Sequence, residues 1–97
     1  MQNFRTYHLS IKFYKAIAQL KMNPILKNQL LRASSSVTLN LMEGNYRQGR
    51  KDRIRFFNIA YSSSKECFAV FELADIQNQE LIKLNDHLSA SIFKLMP

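Results

Sequence analysis

Ninety-seven residues make one domain, residues 1–97, with 14 Lys and Arg against 7 Asp and Glu for a net charge of +7; a chain of this size buries about 60–65% of the surface its unfolded form exposes and holds one core. Hydrophobic residues make up 46%, yet no run approaches the roughly 18 apolar residues of a membrane span. A single cysteine excludes an internal disulfide, and the polar start MQNFRTYHLS has no signal-peptide pattern, so a cytoplasmic protein is expected.

Two glycines and two prolines are too few for a hairpin-rich β fold and favour long helices. From Phe4 to Lys21, Leu9, Phe13, Ala16, Ile17 and Leu20 recur at helical spacing, and Tyr7, Ile11, Tyr14 and Ala18 widen their face. The remaining stripe, Arg5, His8, Lys12, Lys15 and Gln19, is polar and mostly basic. This pattern predicts an amphipathic helix.

Asn23-Pro24 is a helix start, because Asn can cap and Pro at the first helical position loses no needed N–H. The second helix is expected to run to Glu43, with Gly44 as its left-handed terminator. Leu26, Leu30, Ala33, Val37 and Leu41 form its apolar stripe, flanked by Leu31 and Met42. A third helix opens at Gln48 or Gly49 with Asp52 in its first turn. Its apolar set is Ile54, Phe57, Ala60, Tyr61, Phe68, Phe71 and Ala74, and it is expected to end between Ile76 and Asn78. The fourth carries Leu81, Leu84, Leu88, Ile92 and Leu95. Four helices on short loops predict an all-α, antiparallel up-down-up-down four-helix bundle.

Charge is unevenly spread. Residues 1–55 hold eleven of the fourteen cations and two acids, for +9, whereas residues 56–97 come to −2. The excess peaks in GNYRQGRKDRIRFF, residues 44–57, where Arg47, Arg50, Lys51, Arg53 and Arg55 face only Asp52. Cations in a first helical turn oppose the macrodipole, at a cost on the order of 0.3–1 kcal/mol each. The free N–H groups of that turn form an anion site. A solvated basic turn is the plain alternative. The functional reading is a sequence-tolerant phosphate-contacting patch for RNA or DNA, with Lys12 and Lys15 as extensions. Tyr46 can stack on a base or pack on the next helix.

Gln29, Arg32, Ser36, Asn40 and Glu43 share one face of the second helix. They read as a solvated face, or as a polar seam in which Arg32 and Glu43 bond to another helix or subunit and specify register. Ser62-Ser63-Ser64 offers close helix packing. Neither His8 nor His87 has a Cys or carboxylate at ligand spacing. Cys67 reads as a buried structural thiol. No phosphate loop or paired carboxylates appear, so no catalytic residue, metal or cofactor is expected. Aromatic residues such as Phe56 and Phe71 exceed what so small a core needs and are expected at a subunit interface.

The stretch QLLRASSSVTLNLMEGNYRQGRKDRIRFFNIAYSSSKECFAVFELA resembles the central region of the four helix bundle protein family, encoded in intervening sequences of bacterial 23S rRNA genes. That family is related in fold to the accessory variability determinant proteins of diversity-generating retroelements. Gln29, Arg32-Ala33, Ser36, Asn40, Glu43-Gly44, Arg47, Asp52, Arg55-Phe56, Ile59-Ala60, Ser63 and Glu66 carry the resemblance, over about half the chain. It implies a bundle assembling as a ring, typically a homopentamer, with a basic surface for nucleic acid. For the retroelement branch it further implies a reverse transcriptase and its template RNA as partners. A free-standing intervening-sequence protein, or an adaptor ring without nucleic acid, are the alternatives it leaves open.

Overall fold

The structure, a computed structural model, describes residues 2–97, with side chains from Phe4 onward. It is all-α: α1 (Gln2–Ala18), α2 (Pro24–Tyr46), α3 (Arg50–Leu73) and α4 (Gln79–Phe93). Among the described residues α1 packs on α2 and α4, and α3 packs on α2 and α4, with no diagonal contact. The bundle measures 40 × 22 × 18 Å.

The helix ends follow from local chemistry. Asn23 caps α2, its Oδ1 accepting from the N–H groups of Ile25 and Leu26 at 2.9 and 3.1 Å. Lys27 reaches back, its Nζ donating to the carbonyls of Ala18 and Leu20 at 3.1 and 2.6 Å. These bonds satisfy acceptors at the end of α1, which stops at Ala18 rather than Lys21. Asn78 caps α4 through the Leu81 N–H at 3.1 Å.

Gly44 is a correction. It is no terminator: α2 continues through it to Tyr46, and neither glycine has a positive φ. What the position requires is space, because a Cβ there would fall 2.5 Å from Phe57 Cε1. The left-handed terminator belongs to α3 instead, where Asp75 takes φ 53°. The Ile76 N–H reaches the Phe71 carbonyl at 2.9 Å and the Asp75 N–H reaches that of Glu72 at 3.2 Å, the two bonds of a Schellman motif. This ends α3 at Leu73, short of the expected Ile76.

The core gathers Phe13, Ile17, Leu30, Val37, Leu41, Phe57, Ala60, Cys67, Leu88 and Ile92 with their neighbours. Phe71 belongs to it, only 2% exposed, and meets Phe13 edge-on at 6.1 Å. Its expected place at a subunit interface is therefore corrected. Phe68, expected on the apolar face, is 41% exposed. Hydroxyls take core positions that apolar spacing did not reveal. Thr6 bonds Ser91 at 2.6 Å and Ser10 bonds Thr38 at 2.9 Å. Ser89 donates to Ser64 at 2.8 Å within the buried α3–α4 contact. In these three pairs small hydroxyls let the helices approach closely while their oxygens stay bonded.

These pairs also show which ends meet. Thr6 opposite Ser91 brings the end of α4 to the start of α1, Tyr61 in the middle of α3 meets Phe93 at 5.7 Å, and the residues after α4 reach the start of α3 through the bond from Arg50 to Pro97. The α2–α3 junction lies at the same end, since Gly44 meets Phe57.

Candidate functional site

Five cations crowd the α2–α3 junction, and the structure divides them. Arg47, at the C-cap of α2, donates to Glu43 at 3.0 Å and Arg55 lies 3.6 Å from Asp52 within α3, both pairs local in sequence and well exposed. The two guanidinium groups also lie over the ring of Phe56, 4.8 and 4.5 Å from its centroid. Phe56 is thereby half-buried within the protomer. Arg50 donates to the Pro97 carbonyl. Lys51 and Arg53 pair with no carboxylate among the described residues. Partial neutralisation thus leaves a surplus where α3 begins.

That helix start is open. Gly49 supplies no side-chain cap, and a Cβ built on it meets nothing within 4 Å. An approaching anion therefore finds backbone donors and unpaired cations together. Arg50 and Arg53 also wall a cleft of about 260 Å³ with Gln48, Phe57, Leu95 and Pro97. Tyr46 is 78% exposed beside Arg47, so it does not pack on the next helix.

Lys12 and Lys15 are exposed on α1 but stand apart from the junction. Lys15 shares a groove with Ser35 and Leu39, and Ser35 lies about 18 Å along α2 from Arg47 at 1.5 Å per residue. Arg5 is the α1 cation nearer the junction, because it lines a cleft with Lys94 from the end of α4. Sequence reading missed this grouping because it depends on α4 packing against α1.

The seam residues divide as well. Ser36 bonds Ser63 of α3 at 2.8 Å, and Asn40 donates to the Ser36 carbonyl and hydroxyl at 2.8 and 3.2 Å. Glu43 turns to Arg47 at the C-cap of its own helix rather than crossing to another. Gln29, Arg32, Ala33 and Ser36 face Ser63 and Glu66 across a cleft of about 470 Å³. All six are positions that carry the family resemblance. Arg32 and Glu66 form no ion pair among the described residues.

Cys67 is fully buried. Burial first, then the adjacent Glu66 charge, push its thiol up to about 12, so it is held as an unreactive thiol at neutral pH. Among the described residues, no three His, Cys, Asp or Glu side chains are grouped to hold a metal. No helix among them is long and apolar enough to cross a membrane.

Fold and surface together define a four-helix all-α protein with one strongly basic end. The chain belongs to the 23S rRNA-intervening sequence protein family, which matches it over residues 2–93. The match spans all four helices, where the sequence resemblance covered only the middle two. A protein of unknown function from the S23 ribosomal protein family of Bacteroides thetaiotaomicron is similar in structure. It is 21% identical with a TM-score of 0.85, over 99% of this chain and 98% of that one. No curated protein matches the chain.

Proposed function

We propose that this is a non-enzymatic, oligomeric nucleic-acid-binding protein of the cytoplasm that holds RNA or DNA by its phosphates. In the fuller form of the reading it is the accessory protein of a diversity-generating retroelement, binding a reverse transcriptase and its template RNA. One observation carries the binding: Lys51 and Arg53 stand without carboxylate partners at the uncapped start of α3. The cost of that placement is offset when a polyanion arrives.

The architecture supports it. Along α2 the partners on α3 descend, Ser36 with Ser63 and then Gly44 with Phe57, and the other neighbouring helices pair in the same opposed sense. An up-down-up-down arrangement accounts for all of these pairs. Copies of the chain then form a ring, a homopentamer in this reading. The unpaired Arg32 and Glu66 on opposite walls of the α2–α3 cleft are satisfied by a neighbouring copy. Weak phosphate contacts repeated around such a ring gain avidity without new chemistry.

Replacing Arg50, Lys51 and Arg53 together by Ala tests the binding. In a gel-shift salt titration the variant should bind more weakly, with a salt slope lower by roughly two to three units. An unchanged slope in a folded variant rejects the interface. Light scattering tests the ring, and a clean monomer at micromolar concentration removes it. The family assignment favours a second reading, a free-standing protein of the rRNA intervening sequence. Pull-down of a reverse transcriptase separates the two.

A further inference from the structure

The opposite side of α4 carries a cleft of about 400 Å³, lined by Arg5 and Leu9 of α1 and by His87, Ala90, Ser91 and Lys94. No carboxylate lines it, and Arg5 and Lys94 form no ion pair among the described residues. Its floor is held in place, because Ser91 is bonded to the buried Thr6 at 2.6 Å. The macrodipole accounts for Lys94, which sits at the C-terminal cap of α4, but Arg5 near the start of α1 opposes it. Arg5 and Lys94 thus repeat the condition of the α2–α3 junction: cations held together with nothing opposite.

The two basic surfaces are separated only by the last turn of the chain. Leu95 and Pro97 wall the cleft of Arg50 and Arg53, and Lys94 walls the cleft of Arg5. We infer that the Arg5–Lys94 cleft is a second phosphate subsite, which continues the track of one nucleic acid from the junction across the end of the bundle. The inference rests on the nucleic-acid reading above and extends its footprint to α1 and α4. The bundle measures 22 × 18 Å across its long axis, which roughly six to eight base pairs span at 3.4 Å each. A short duplex therefore reaches both subsites.

The test is a fluorescence anisotropy titration of the full chain against a 20-base-pair RNA duplex at several salt concentrations. Arg5→Gln with Lys94→Gln is compared with Lys21→Gln with Lys83→Gln, which removes equal charge away from the cleft. The first pair should lose about three- to tenfold in affinity and one to two units of salt slope, and the second pair should bind as the wild type does. If both pairs weaken equally, net charge alone is responsible and the subsite is rejected. If the Arg50, Lys51 and Arg53 variant weakens while Arg5→Gln/Lys94→Gln does not, the subsite falls and the junction reading stands. If the wild type binds no duplex, the subsite falls; if it binds no single strand of the same sequence either, the junction reading falls with it.

Discussion

The ring of Phe57 lies directly against the backbone of Gly44, leaving no room for a Cβ on the glycine, which would sit 2.5 Å from Cε1 and 2.7 Å from Cδ1. The contact sets how closely α2 and α3 approach at the basic end, and so how the junction is presented. Phe57 is 2% exposed, so its ring has nowhere to swing. Gly44→Ala is expected to destabilise the protein by about 1–2 kcal/mol, because overpacking of 1–3 kcal/mol outweighs the helix propensity gained. Urea unfolding measures it. Adding Phe57→Leu should make the alanine less costly, and purely additive effects would show that the contact is not the cause.

Asp75 occupies the left-handed terminator of α3 with φ 53°, a conformation that costs a non-glycine residue, and its charge lies at a helix C-terminus. Asp75→Gly should stabilise by about 0.5–1 kcal/mol despite losing the exposed Gln77 bond. Asp75→Ala should destabilise. Thermal melts that move both variants the same way would contradict the strain.

Tyr46 is the exposed aromatic of the basic end, and one stacked base is worth about 1–3 kcal/mol. Tyr46→Ala should therefore weaken binding of a single-stranded 20-mer by about fivefold or more. It should leave duplex binding and the melting temperature nearly unchanged. Equal losses on both probes would assign Tyr46 another role.

Cys67 keeps its proton in the folded chain well above the ordinary value of 9.0, up to about 12. Above pH 9 the unfolded chain binds fewer protons than the folded one. Stability from this group is therefore complete below pH 9 and falls as pH rises toward 12, by about 1.4 kcal/mol per unit at most. Wild type and Cys67→Ala compared by urea unfolding from pH 7 to 10.5 should converge as pH rises. A constant difference between them would contradict the burial argument.

How much was legible in the sequence varied from residue to residue. Asn23-Pro24 and the apolar stripe of α2 were readable because caps and periodicity are local. Gly44 was misread because a glycine near a helix end has two uses, and only the position of Phe57 distinguishes them. The core places of the hydroxyls of Thr6 and Ser10 were not legible, since their partners Ser91 and Thr38 are remote in sequence.

The amino-acid order by itself determined four amphipathic helices, one core and a junction loaded with arginines, all consequences of spacing and charge over a few turns. Tertiary packing decided which cations pair off, which remain unanswered, and that Arg5 and Lys94 share a cleft. Those outcomes depend on distances between helices, which no local pattern encodes.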